Sequence, residues 1–359
     1  MSILIYTFVL SFSVYFASKS NNIYIIGNKI KISSQINLFF SLTLITLLVG
    51  LRSENIGIDT VYYLDYYKNL PVFHFDNILL NYLEPGYSFI IYLLRTVHAS
   101  ETLFLLTNST ISLFLFFIFY KNINKQLPWA IFFAFSTGFI FLMMNGMRQA
   151  IAIPILALSI KYVTNRNLLK FLGIVLVGTL FHYSILLMLP IYLINYLSKI
   201  KYELWGILFI ISVFISPLDF VPYFGNVLSI LPKDYSHYLN LLDLTESKFT
   251  LGFLFNLILG FLAIYFSSQI TIDKFNKNIL NIYFLGVILM NMTWQSAILQ
   301  RFTIYFMFFQ IPAFAFISFS LKKKNQIFSI ILIISLFLFS FIYKIIVGDS
   351  GCSPYEFSF

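Results

Sequence analysis

Charge is scarce in this chain. Only 10% of its 359 residues are Asp, Glu, Lys or Arg, against about 25% in an ordinary soluble domain. With 59% hydrophobic residues, the chain carries more apolar side chain than one water-soluble core can bury, which excludes a simple soluble globule. Cysteine is nearly absent: Cys352 is alone, so no intrachain disulfide can form. No His/Cys cluster has zinc-ligand spacing, and neither a Gly-rich phosphate loop nor a dinucleotide fingerprint is present. No G-x-S-x-G elbow occurs. No metal or cofactor is expected, and direct use of ATP or a nucleotide-sugar is disfavoured. Internal repeats, low-complexity tracts and a soluble domain are also missing.

What the chain has is apolar length and aromatic rings. Its 44 Phe and 24 Tyr include rings of the kind that settle at membrane-water interfaces. Runs long enough for a bilayer take roughly 17 to 25 residues. Twelve candidates occur, some short: 2–17, 36–51, 102–120, 128–145, 149–163, 168–181, 183–197, 203–217, 250–267, 279–296, 302–319 and 326–347. Lipid offers no partner to an open strand, so all should be helical. The expected fold is an all-α, polytopic transmembrane helix bundle of about 12 spans. It forms one integral membrane domain over residues 1–359. The first run has no basic residue before it and Lys19, Lys29 and Lys31 after it. That pattern reads as a retained span rather than a cleaved signal.

The net charge of +9 does not point to nucleic acid, because the cations sit in short loops between apolar runs. They decide the topology instead. The short run 86–97 contains Arg95; if it does not cross, alternate loops fall into two sets. One set (18–35, 121–127, 161–170, 198–202, 268–278, 320–325) holds 15 of the 23 Lys and Arg, with only Glu203 and Asp273 as acids near it. The other holds the remaining 8 cations and 12 of the 14 acids. The positive-inside rule then places the first set in the cytoplasm and both termini outside. On this reading 86–97 is a re-entrant or interfacial helix, and the long extracytoplasmic loops are 52–101 and 218–249. Lys322-Lys323-Lys324 is a topogenic anchor.

Arginine runs against this bias. Four of the five, Arg52, Arg95, Arg148 and Arg301, lie outside or at that edge, whereas 14 of 18 lysines lie inside. A planar, bidentate guanidinium suits phosphate or carboxylate better than lysine does. The arginines therefore indicate an anionic ligand met from outside, such as a lipid diphosphate. Pairing with the outside acids is the plainer alternative. Arg52, Arg148, His182 and Arg301 each sit where a helix leaves the membrane, where polar groups line cavities or pair with each other. Asp59 is either a helix cap or a site carboxylate. Glu84, before Pro85, is either a dipole-favouring residue or a general base. The tyrosines around Tyr62 could stack on sugar rings or belong to an interface belt.

Taken in order, several landmarks resemble the EpsG family of polysaccharide polymerases. They are Gly50-Leu51-Arg52, Gly57-Ile58-Asp59-Thr60, Tyr62-Tyr63, Glu84-Pro85-Gly86-Tyr87, Met147-Arg148-Gln149-Ala150-Ile151-Ala152, Phe181-His182-Tyr183-Ser184, Arg301-Phe302 and Pro354-Tyr355. Ile58 departs from the small residues usual there, and 218–249 has no matching motif. The resemblance implies a Wzy-type polymerase in a bacterial plasma membrane. Such an enzyme joins oligosaccharide repeat units carried on undecaprenyl diphosphate, outside the cell, into O-antigen, capsule or exopolysaccharide. A flippase and a chain-length regulator are the partners it implies, without nucleic acid. The expected sites follow. Arg148 with Gln149, Arg301 and Arg52 bind diphosphate, Tyr62 contacts sugar, and His182, Asp59 and Glu84 are base candidates, His182 first. The competing readings are a lipid-linked oligosaccharide flippase, a glycan ligase, a membrane acyltransferase and a scaffold subunit.

Overall fold

The computed structural model describes residues 1–20, 32–69, 83–121, 126–215, 251–293 and 297–358. Loop 218–249 and the middle of loop 52–101 therefore lie outside the described residues. Among those described, the chain is helical and has no strand; an isolated bridge joins Arg52 to Phe357. In order, α1 is Ser2–Ser20, α2 Ile32–Gly50, α3 Thr60–Asn69, α4 Pro85–Thr96, α5 Glu101–Lys121, α6 Leu127–Thr137 and α7 Phe139–Asn145. There follow α8 Met147–Thr164, α9 Leu168–Thr179, a 3₁₀ segment Tyr183–Lys199, α10 Tyr202–Phe214, α11 Leu251–Ser267, α12 Lys274–Thr293, α13 Ala297–Met307, α14 Gln310–Lys323 and α15 Ile327–Val347. A short 3₁₀ turn, Asp349–Gly351, comes last.

Each apolar run has a helical counterpart, and local chemistry explains the ends. Pro85 opens α4, where a missing N–H costs nothing. The Asn167 side chain accepts from Lys170 N at 3.1 Å and caps α9. Gly138, at φ 91°, closes α6 in the left-handed conformation. The run 128–145 therefore becomes two helices bent by 59°.

Among the described residues fewer helices than the twelve read from the sequence have the length and polarity of a span. Four helical stretches there are long and apolar enough to cross a membrane: Ser2–Ser20, Glu101–Tyr120, Gln300–Lys323 and Ile327–Val347. Counting the bent pair α6–α7 as one gives five. The reason is length and polarity. At 1.5 Å per residue, α9 and α10, of 12 and 13 residues, reach only about 20 Å, short of a hydrocarbon core of about 30 Å. α8 carries Arg148, Gln149 and Lys161, and α12 begins with Lys274, Asn276, Lys277 and Asn278.

Contacts group the chain into two compact units. The first is Met1–Ile155 with Asn325–Phe359, the second Leu156–Lys324. In the first, α1 packs on α2 and α6, α2 on α5, and α15 on α6. Small residues let the backbones close up: Ser41 Oγ donates to Ser13 O at 2.8 Å, and a Cβ on Gly50 would meet the Leu106 side chain at 2.5 Å. Phe133 and Phe135 of α6 meet Phe337 and Phe341 of α15 edge-on. Phe8, Phe12, Phe39 and Phe328 point outward, as a lipid-facing surface demands.

In the second unit α12 is central, touching the Tyr183–Lys199 segment, α10, α11, α13 and α14. Polar pairs tie it in place. Asn278 Nδ2 donates to Asn195 Oδ1 at 2.9 Å and Thr164 Oγ1 at 3.0 Å, and Asn291 Nδ2 to Ser212 Oγ at 2.9 Å.

Candidate functional site

The chain leaving α2 turns through 51–59 before α3, and Arg52 organises that turn. Its guanidinium is 1% exposed. Nε donates to Ile56 O at 3.3 Å, one terminal nitrogen to Val49 O, and the other to Met144 O at 3.0 Å and Thr60 Oγ1 at 3.4 Å. Carbonyl and hydroxyl oxygens thus take these donors, with no carboxylate among them. Burial pulls the Arg52 guanidinium down to about 10, still charged at neutral pH. Gly57 must be glycine: its φ is +87°, and a Cβ would collide with the Met144 carbonyl oxygen.

The loop is closed from the far end of the chain. Gly57 N donates to Gly351 O and Ser53 N to Glu356 O, both at 2.9 Å, and Ser358 N donates back to Leu51 O at 2.9 Å. Tyr6 Oη donates to Cys352 O and Tyr355 Oη to Leu48 O, each at 2.7 Å. Burial pushes the Cys352 thiol up to about 12. Asp59 N donates to Asn145 Oδ1 at 2.8 Å, which ties the start of α3 to the α7–α8 corner.

That corner carries Arg148, the second residue of α8. Its Nη1 lies 2.6 Å from Glu84 Oε2. Its Nε donates to Tyr63 Oη at 3.4 Å, and its guanidinium carbon sits 5.8 Å from the Tyr63 ring centroid. The Glu84 side chain is fully buried, whereas that of Arg148 is 24% exposed. Glu84 stands at the N-cap of α4 but its side chain makes no cap hydrogen bond; the carboxylate turns to Arg148 instead. Tyr87, one turn on, is wholly buried. It packs edge-on to Tyr63 at 5.8 Å, and its hydroxyl reaches Met147 Sδ at 3.7 Å. A guanidinium has five N–H donors, and these bonds engage two of them. The corner can therefore hold an anion on a cation whose orientation is already set.

The first unit thus gathers Arg52, Asp59, Glu84, Arg148 and Gln149 around the α2–α3 loop and the α7–α8 corner. Tyr62 is 66% exposed and points away. Its neighbour Tyr63, named in the Tyr62-Tyr63 landmark but given no site role from sequence, makes the arginine contact. The inward face of α3 is Thr60, Tyr63, Leu64 and Tyr67, spaced i, i+3, i+4, i+7, so helical phase alone would have chosen Tyr63. Thr60, named only within the Gly57–Thr60 landmark, and Asn145 were given no place in the site; neither carries charge.

His182 and Arg301 belong to the second unit. His182 is extended, at φ −159° and ψ 114°, at the head of the Tyr183–Lys199 segment. Two residues on, Ser184 Oγ lies 3.0 Å from Tyr305 Oη. Tyr305 and the exposed Arg301 are four residues apart on α13, so the two sequence landmarks fall on touching elements. Among the described residues no group of three or more His, Cys, Asp or Glu could hold a metal ion.

Compared with known proteins, residues 35–357 match the family model described as the EpsG family. No curated protein and no solved structure matches.

Proposed function

The chain belongs to the EpsG family, and from that premise we propose that it is a membrane glycosyltransferase. It polymerises undecaprenyl-diphosphate-linked oligosaccharide repeat units on the extracytoplasmic face of a bacterial plasma membrane, making O-antigen, capsular or exopolysaccharide. The observation that carries this reading is the Glu84–Arg148–Tyr63 cluster: a cation held ready by a fully buried carboxylate, in a chain with little charge to spare. A lone guanidinium kept at such a site, with part of its surface open, suits a phosphate-bearing ligand.

In this reading an acceptor sugar hydroxyl forms a bond to the anomeric carbon of the donor chain. The bond from that carbon to the diphosphate oxygen breaks, and its electron pair leaves with the diphosphate. Arg148 stabilises that developing charge, and Glu84 and Tyr63 hold Arg148 in place. Gln149 adds a neutral contact, and Tyr62 offers an exposed ring for sugar stacking. The proton passes to Asp59, held beside the same corner by its N–H to Asn145; Glu84, already ion-paired, orients rather than accepts. Arg52 acts through the loop it braces. A flippase supplying the repeat unit and a chain-length regulator are the partners this reaction calls for.

The test is deletion with complementation, reading surface glycan on a size-resolved gel. Single repeat units on the carrier or its acceptor, with long chains restored by the gene, are expected. Accumulation of lipid-linked repeat units on the cytoplasmic face would make the chain a flippase instead.

A further inference from the structure

A second polar site lies in the other unit, at its lysine-rich end. A cavity of about 480 Å³ opens between the end of α11 and the start of α12, lined among others by Ser198, Tyr202, Ser267, Ser268, Lys274 and Lys277. Its cations are not spent on acids. Among the described residues the ion pairs are Lys68–Glu101 and Arg148–Glu84, and neither involves Lys274 or Lys277. Asp273, the nearest acid in the chain, is occupied with its own helix start. Its Oδ1 accepts from Phe275 N at 2.9 Å and Asn276 N at 3.1 Å, and its Oδ2 from Asn276 Nδ2 at 2.5 Å.

The two lysines are nevertheless held. Lys277 Nζ sits 3.9 Å above the Tyr202 ring centroid, a cation–π contact that fixes an ammonium without neutralising it. Lys274 Nζ donates to Thr164 O at 2.8 Å, which uses one of its three N–H donors. A third group awaits a partner: Ser267 is 1% exposed, and its Oγ makes no hydrogen bond. A buried hydroxyl left unmatched is costly, and beside two uncompensated cations an anion would satisfy it.

The surroundings say what carries that anion. α11 presents Leu251, Leu254, Ile258, Phe261 and Tyr265 as an exposed stripe, spaced along one helical face. The stripe runs up to Ser268 at the cavity. Apolar surface leading to a cationic, hydroxyl-lined cavity is the arrangement an acyl chain and its phosphate head require. We propose that this cavity binds the phosphodiester headgroup of an anionic membrane lipid, with the acyl chain along α11. Lys274 and Lys277 neutralise the phosphate, and the Ser267 hydroxyl donates to it. This site is separate from the glycan chemistry proposed above and does not rest on it.

The experiment is native mass spectrometry of the full-length protein in detergent. It would be titrated with phosphatidylglycerol, phosphatidylcholine and inorganic phosphate, each alone. Phosphatidylglycerol should bind at a concentration at least about tenfold below phosphatidylcholine, whose choline sets a cation beside the phosphate and against the two lysines. The Lys274→Gln/Lys277→Gln variant should lose the preference, and Lys322→Gln/Lys323→Gln, with equal charge loss on exposed lysines, should keep it. If the first variant does not fold, Ser268→Glu sets a carboxylate at the cavity and should abolish the preference alone. A preference that survives at either altered cavity overturns the site. Inorganic phosphate that binds as tightly as phosphatidylglycerol would show that the cavity reads free phosphate, and would overturn the lipid assignment.

Discussion

Arg148 has two separable jobs, bracing and binding, and substitutions can divide them. At 2.6 Å from Glu84 Oε2, the gross attraction at an effective dielectric near 20 is about 6 kcal/mol. Most of that offsets desolvation, because Glu84 is fully buried and Arg148 is three-quarters so. Removing one partner is a different matter: Arg148→Met strands a buried carboxylate and should cost about 3–5 kcal/mol. Adding Glu84→Gln removes that stranded charge. The double variant should therefore regain most of the lost stability, giving a coupling of up to about 3 kcal/mol in the cycle. Polymer should not return with it, since the guanidinium proposed to hold the departing diphosphate is gone. The assay pairs thermal unfolding of the purified protein with size-resolved glycan from complemented cells. A stable double variant that makes long chains would refute the binding role and leave Arg148 as a brace. A double variant no more stable than Arg148→Met would refute the pairing energetics. Arg148→Lys, which keeps charge but loses the planar fork, should retain stability better than polymer yield.

Other outcomes follow from the same geometry. Tyr63→Phe removes the hydroxyl that accepts from Arg148 Nε and should cut polymer yield while lowering stability by only about 1 kcal/mol. Tyr62→Ala, at an exposed position, should change stability by less than about 0.5 kcal/mol, so any loss of chain length there reports sugar contact. Gly57→Ala sets a methyl against Met144 O at a left-handed φ and should lower protein level and melting temperature, by roughly 1–3 kcal/mol of backbone strain or more. Cys352 should resist maleimide at pH 8 until the protein unfolds. Its thiol is held up at about 12 against an ordinary 9.0, so the folded state keeps its proton longer than the unfolded one. The stability tied to that proton is complete below about pH 9 and is lost as pH climbs towards 12, measurable as a falling melting temperature over that window.

Much of the site could be read from residue type alone. Arginine set against the positive-inside bias singled out Arg52 and Arg148, and the proline after Glu84 marked a helix start. Both readings rest on strong local chemistry. The geometry among these residues was less accessible. Glu84 and Arg148 are 64 positions apart, and no local rule says that the carboxylate faces the guanidinium instead of capping its own helix. Chain proximity favoured His182 as the group nearest Arg148, yet Glu84 and Tyr63 make its contacts. Arg52 read as a ligand contact because it is a cation at a helix exit, but its neighbours are backbone carbonyls, which sequence does not distinguish. The apolar runs marked helices well and crossings less well. Gly138 breaks one run, and polar residues at the heads of α8 and α12 shorten the apolar part of others.

The closing of the 51–58 loop by residues 350–358 has a consequence for biogenesis. The acceptors for Ser53 and Gly57, on Glu356 and Gly351, are translated about three hundred positions after the loop itself. α1 and α2 are therefore synthesised long before these partners exist. The Tyr6 hydroxyl waits for a carbonyl made 346 residues later. Contacts this distant in sequence form late. The loop bearing Asp59 thus completes its hydrogen bonds only once residues 351–358 have been made, and a polypeptide stalled or cleaved after α15 would keep its helices while leaving this loop unlatched. Quality control that senses unlatched loops would then discard such a chain.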